Sequence, residues 1–297
     1  MSQIPPITNL LAFETVARRR SFALAAAELH LTASAVSHQI SKLEIQLGVR
    51  LLERSAHGVR LSAAGERYLA RVGGALSAIT SATEDLRHGM SNSLYVHSAP
   101  SIASLWLMPR LKEFTESHPS ISMNLSAAHT TSDFALGQAD IDIRYGIPQW
   151  PDLIVKPLFE ERILPLASPK FIREHNIKQP AQLLDIALIQ SNVNIVQWTD
   201  WFTKVANIKP PERFAVRFDR AQMSLDAATQ GLGVALESEV LASNLIKKGL
   251  LKPLFKPELC VKVKAHFAVY PPKHEKRESV KAFLDWVHSE ASKSLLT

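Results

Sequence analysis

The chain has 297 residues, enough for one small and one larger domain that each bury a core, and a formal net charge of +6, which permits an anionic partner without requiring one. Its one cysteine, Cys260, excludes an intramolecular disulfide and a cysteine-rich zinc site and fits a reducing, cytoplasmic compartment. The first ten residues lack a basic segment followed by an apolar one, and no apolar run approaches the roughly 20 residues that span a bilayer, so no membrane partner is expected.

In chain order, residues 10–18 place Leu10, Phe13, Val16 and Ala17 on one face of a first helix, ended by the polar run from Arg18 to Ser21. Ser21 can cap a second helix over residues 22–30, where Phe22, Ala25, Ala26 and Leu29 share a face. Thr32 can cap a third, in which Val36, Ile40, Leu43 and Leu47 form an apolar stripe and Gly48 supplies the stop. The opposite side of that third helix carries Ser34, Ser37, His38, Ser41 and Lys42. Short hydroxyls and an imidazole reach base edges when a helix lies in the major groove, and its first turn has no carboxylate to repel a phosphate. A polar solvent face on an ordinary three-helix bundle fits those residues equally well.

The next segment favours DNA. Residues 50–54 and 59–61 read as two short strands around His57-Gly58, a basic hairpin bearing Arg50, Arg54 and Arg60, as a wing beside a recognition helix would. From Leu69 a seam of Val72, Leu76, Ile79, Thr83, Leu86 and Met90 repeats in steps of three and four, which suits pairing with a second copy; packing against its own domain is the alternative. Gly73-Gly74 within it argues for a tight crossing or a bend, and residues 90–93 read as a hinge.

Beyond residue 94, short β-type runs at 94–98, 121–125, 141–144, 163–167, 187–189, 215–218, 233–236 and 265–269 alternate with helical stretches. This predicts two α/β lobes with mostly parallel sheets. Ligands of such sheets sit beyond the carboxyl ends of strands, which directs attention to Ser98, Pro100, Ser101, His129, Thr130, Arg144, Tyr145, Asp219 and Arg220. Two helix starts there favour a carboxylate or phosphate, with Arg144 or Arg220 as counter-ion, although each serine is equally an ordinary cap. Trp198 borders the same region, yet with Trp201 three residues on it suits a core position as well. No dinucleotide fingerprint, phosphate-loop lysine motif, metal-ligand cluster or nucleophile elbow occurs, so no enzyme activity, cofactor or metal is expected.

The run Ser21-Phe22-x-x-Ala25-Ala26-x-x-Leu29, followed by Leu31-Thr32-x-Ser34-Ala35-Val36-Ser37-x-Gln39-Ile40-x-x-Leu43-Glu44-x-x-Leu47-Gly48-x-x-Leu51-Leu52-x-Arg54, resembles the DNA-binding signature of LysR-type transcriptional regulators. Trp106-Leu107-x-Pro109-Arg110-Leu111, Asp140-x-Asp142-x-x-Tyr145-Gly146 and Gly231-x-Gly233-Val234-Ala235-Leu236 are similar to its glycine-cleavage-activator and β-lactamase-regulator branch. The chain departs from the pattern at Ala33, where many members carry Gln or Pro, and at Ala221, often hydroxylated in that branch. The resemblance implies a winged helix-turn-helix over residues 1–62, a linker helix and hinge over 63–91, and a periplasmic-binding-protein-like effector domain over 92–297. Lobe I would span about 92–162 and 268–297, and lobe II about 163–267. It further implies promoter DNA and a small anionic or amino-acid-like effector as partners, dimers through the linker helix that assemble as tetramers, and RNA polymerase as a partner if the protein is an activator. An enzyme or periplasmic-type binding protein and a sequence-independent architectural DNA binder are the rival readings, the first opposed by the wing and the second by the two lobes.

Overall fold

The computed structural model describes residues 4–55, 58–87 and 92–294. Of the expected features, His57 of the wing turn and Met90-Ser91 of the hinge lie outside the described residues, as do the side chains of Arg54 and Leu86. Contacts divide the chain into two compact units, residues 1–90 and 91–297.

The first unit is built on three short helices: α1 (Ile7–Arg19), α2 (Phe22–Glu28) and α3 (Ala33–Leu47). Their ends follow from single residues. Ser21 Oγ accepts from Leu24 N–H and Thr32 Oγ1 from Ala35 N–H, while Gly48 closes α3 in the left-handed region at φ 69°. Phe13, Val16, Ala25, Val36, Ile40 and Leu43 meet in one core, which Leu51 joins from the wing. The wing is the antiparallel pair β1 (Leu52–Ser55) and β2 (Gly58–Leu61), with Leu52 opposite Leu61.

Helix α4 (Ala63–Arg87) uses the expected seam for two purposes. Leu69, Val72 and Leu76 pack against the three-helix core, so its first turns do close on their own domain. Ile79, 51% exposed, and Thr83 face away from that core. No atom of the described residues comes within 4 Å of a Cβ built at Gly73, so the tight crossing expected there is not made within this chain.

The second unit holds two mixed sheets. Lobe I orders its strands β4 (Ser122–Ala127), β3 (Ser93–Ser98), β5 (Ile141–Tyr145), β13 (His266–Tyr270) and β6 (Ile154–Pro157). The first three are parallel and β13 runs antiparallel to both neighbours. Lobe II orders β11 (Lys252–Pro253), β7 (Glu161–Ala167), β10 (Val234–Ser238), β8 (Leu188–Ser191) and β9 (Val216–Phe218), with β12 (Val261–Val263) also on β7. The chain crosses between lobes at 158–160 and again at 264–265, so Glu161 opens a lobe II strand and His266 a lobe I strand.

Helices cover the sheets: α5 (Pro100–Ile102) and α6 (Leu111–Ser117) in lobe I, then α7 (Pro169–Glu174), α8 (Trp198–Trp201), α9 (Ala221–Thr229) and α10 (Glu239–Lys247) in lobe II. The terminal helix α11 (Glu278–Ser294) returns to lobe I, where Phe283 and Trp286 pack on Phe114. Between α5 and α6 the helical stretch changes pitch. Ala103–Leu107 is a π-helical turn and Met108–Arg110 a 3₁₀ turn, because Pro109 has no N–H to continue the ladder.

One glycine holds the wing against α4. A Cβ at Gly65 would stand 2.1 Å from the Leu51 carbonyl oxygen, while Ser62 Oγ donates to Arg50 O at 2.7 Å and accepts from Gly65 N–H at 3.0 Å. Gly65→Ala is expected to push this junction apart and cost the first unit about 1–3 kcal/mol, read as a lower midpoint in denaturant together with weaker operator binding. An unchanged midpoint would mean that the junction yields freely.

Candidate DNA-binding surface and effector cleft

On α3, Ser34, His38, Ser41 and Lys42 are exposed and Ser37 is half-buried, so the face opposite the Val36-Ile40-Leu43 stripe is presented as expected. Thr32 caps the same helix and Arg50 stands exposed between it and the wing. A groove lined by Phe22, Ser37, Ser41, Glu44 and Arg50 joins helix and wing. Arg60 is not a free cation: its guanidinium pairs across the hairpin with Glu53 at 2.8 Å. Both partners are exposed, so the pair is weak enough for a phosphate to replace Glu53. Arg18 and Arg19 are likewise committed, both to Glu28.

Glu44 was missed by the sequence reading. Its Oε1 accepts from the N–H groups of Leu51 at 2.7 Å and Leu52 at 3.1 Å, which ties the start of the wing to the recognition helix. A carboxylate in the last turns of a helix, without a basic residue three or four positions on, is the signal that was available.

Between the lobes lies a cavity of about 260 Å³, smaller than the roughly 300–1,000 Å³ clefts that enclose drug-sized ligands. Pro100, Ser101, His129, Thr130, Arg144 and Tyr145 of the predicted set line it. Ser98, Trp198, Asp219 and Arg220 do not. Ser98 is buried with Oγ donating to Ala99 O. Trp198 is core: its Nε1 donates to Ile189 O at 2.8 Å and its ring meets Trp201 edge-on. Asp219 and Arg220 follow β9, the edge strand of lobe II, and stay exposed beside each other.

Arg144 lines the cavity but is no spare counter-ion. Its Nε donates to Asp142 Oδ2 at 2.9 Å, a second nitrogen to Ser132 O at 3.3 Å, and its guanidinium lies over the rings of Phe134 and Trp150. Asp142 also accepts from the N–H and Oγ of Ser132, so the pair is buried, neutral and satisfied.

The remaining wall comes from residues the strand-end rule passed over. His266 and Asn194 line the cavity, with Glu161 and Glu237 beneath them, each 1% exposed. His266 Nδ1 lies 2.9 Å from Glu161 Oε1, and Asn194 Nδ2 donates to Glu237 Oε2 at 2.9 Å and to Leu236 O at 3.1 Å. Because β13 is antiparallel, its first residue, not its last, reaches the cleft, opposite Tyr145. Besides the His266 to Glu161 contact, hydrogen bonds cross between the lobes from Ile195 N–H to Tyr145 Oη at 3.0 Å, from Gln222 N–H to Ser101 Oγ at 3.3 Å, and from Ser104 Oγ to Gln222 Oε1 at 2.8 Å. Burial pushes the Tyr145 phenol up, so it stays protonated, against the opposing hydrogen bond from Ile195 N–H.

With this geometry in hand, comparison with known proteins decides the family. Residues 87–292 match the LysR substrate binding domain, and residues 7–66 match the bacterial regulatory helix-turn-helix protein of the lysR family. The chain belongs to the LysR family of transcriptional regulators. It is 37% identical to the HTH-type transcriptional regulator PerR of Escherichia coli, over 96% of this chain and 95% of that one. It is 31% identical to the glycine cleavage system transcriptional activator of the same organism, covering 98% and 95%. The solved effector domain of the transcriptional regulator AmpR of Pseudomonas aeruginosa superposes with a TM-score of 0.59 at 26% identity, covering 68% of this chain and 96% of that one. As a LysR-type regulator the protein pairs a DNA-binding helix-turn-helix with an effector-binding domain.

Burial pushes the Glu237 carboxyl up from the ordinary 4.5 to about 7, the Asn194 hydrogen bond opposing and the Glu161 charge adding to the rise. A carboxyl whose folded value is raised stabilises fully below the unfolded value, and that contribution falls as pH rises from 4.5 to about 7 and is level above. Glu237→Gln removes this slope. Between pH 4 and pH 8 its unfolding free energy is expected to gain roughly 3 kcal/mol on the wild type in chemical denaturation, and equal slopes would show an ionised, solvated carboxylate.

Proposed function

We propose that this regulator binds promoter DNA through α3 and the wing, and that a small effector held in the interlobe cavity alters that binding or the bend it imposes. The observation that carries this reading is the cavity itself, lined from both lobes and spanned by the Tyr145 to Ile195 and Ser101 to Gln222 hydrogen bonds. A ligand there changes the relative free energy of lobe arrangements, which is what an effector must do. Ser34, Ser37, His38 and Ser41 are assigned to base edges; Thr32, Lys42, Arg50, Arg54 and Arg60 are assigned to the backbone.

On the linker helix, Ile79 and Thr83, the exposed seam positions beyond Leu76, are assigned to pairing with a second copy. Such dimers are taken to assemble as tetramers, so that effector binding moves two DNA-reading heads relative to each other. A regulator that reads promoters in this way works in the cytoplasm, and no catalytic role is assigned to it. No helix among the described residues is long and apolar enough to cross a membrane.

The test compares two substitutions on one operator. Lys42→Ala is expected to weaken binding evenly across sequences and to lower the slope of log affinity against log salt by about 1. His38→Ala is expected to leave that slope unchanged and to cost about 1–3 kcal/mol at one base pair, relaxing the preference there. Fluorescence anisotropy with single-base operator variants separates the two. Equal displacement of the operator by unrelated duplex at physiological salt would contradict the reading.

A further inference from the structure

The interlobe cavity is short of positive charge on one side. Among the residues that line it there is no lysine, and the one arginine, Arg144, is neutralised by Asp142. His97 is spent as well, one ring nitrogen on Ser126 Oγ and the other on Thr130 O, both at 2.9 Å. A purely anionic effector therefore has no uncommitted arginine or lysine to meet.

The opposite demand comes from the wall formed by Asn194 and His266. Behind it stand two buried carboxylates, Glu161 and Glu237, against a single imidazole, and each has one oxygen without a hydrogen-bond partner. While both acids are ionised they face at most one imidazolium, and the wall then lacks a cation. The acids also set the polarity of the groups in front of them. With Nδ2 of Asn194 committed to Glu237 and Leu236, its Oδ1 is left as an acceptor with no partner among the described residues. With Nδ1–H of His266 on Glu161, the neutral ring keeps Nε2 as a second open acceptor. Across the cavity the groups are donors. Ser101 Oγ already accepts from Gln222 N–H, so its own proton is available, beside the hydroxyls of Thr130 and Thr131.

Acceptors before buried acids on one side and hydroxyl donors on the other match a molecule with an ammonium at one end and a carboxylate at the other. We propose that the effector is a zwitterionic α-amino acid, its ammonium seated on Asn194 and His266 and its carboxylate turned toward Ser101 and Thr130. This rests on the reading of the cavity as the effector site. The ammonium supplies the charge that Glu161 and Glu237 lack, whereas an amine-free acid leaves both acceptors unpaired in a dry wall.

The full-length protein is titrated by calorimetry with each common α-amino acid in both enantiomers, and with the amine-free acid of the same carbon skeleton. At least one amino acid is expected to bind, its amine-free counterpart about a hundredfold more weakly. Asn194→Leu is expected to weaken the amino acid by more than about tenfold. The amine-free comparison needs no variant, so a misfolded Asn194→Leu protein would not blunt the test. An amine-free acid that binds as well as its amino acid, or a panel in which no amino acid binds, overturns the proposal. Ser101→Trp, which fills the cavity, separates the two levels. Amine-free binding that Ser101→Trp abolishes sinks only the ammonium assignment, while amino-acid binding that survives it sinks the cavity as the effector site.

Discussion

Glu161 and His266 are the first residues of the strands that follow the two chain crossings, and they meet at 2.9 Å in the interior of the effector domain. Nearly all else about the cleft follows from burying acids at that place. A carboxylate removed from water needs a partner, and Glu161 has His266 while Glu237 has the Asn194 amide, with the Ser224 and Ser191 hydroxyls close enough to oppose its rise. Burial raises Glu237, and its hydrogen bond fixes the Asn194 amide with its oxygen uncommitted.

The DNA-binding unit shows the same economy with different chemistry. Glu44, Ser62 and Gly65 all converge on the backbone of residues 50–52, where the wing leaves the core. The wing's position relative to α3 therefore depends on one carboxylate, one hydroxyl and the absence of one methyl group. Much of what makes this segment resemble its family is this junction, whereas of the side chains that would read bases Ser34 and His38 are exposed and Ser37 is half-buried.

The helices of the first unit were legible because their signals are local: caps at Ser21 and Thr32, a stop at Gly48, an apolar stripe every three or four residues. The linker seam was legible as a pattern but not in its use, since heptad spacing does not say whether Leu69, Val72 and Leu76 meet their own domain or a second copy. In the effector domain, looking after strand ends found Ser101, Thr130 and Tyr145, which sit on parallel strands or their loops. The same rule missed His266, because β13 runs the other way; Asn194, three residues beyond the carboxyl end of parallel strand β8, was within its reach and was passed over, while its meeting with Glu237 is set by sheet order. It also misplaced Asp219 and Arg220, whose strand lies at an edge. An ionisable residue inside an apolar run, as in Ile141-Asp142-Ile143 or Ala265-His266-Phe267, was the readable mark of the buried network, and the Asp142-x-Arg144 spacing, which puts both side chains on one face of a strand, was the local sign that Arg144 would be neutralised.

The central claim is that the hinge-side wall of the cleft holds more acid than base. Carbon-13 detection of the Glu237 side-chain carboxyl across a pH titration of the ligand-free protein measures this directly. The account predicts a midpoint near the raised value of about 7. A midpoint at the ordinary carboxylate value would show that a cation or water already satisfies Glu237, and the wall would have no ammonium to ask for.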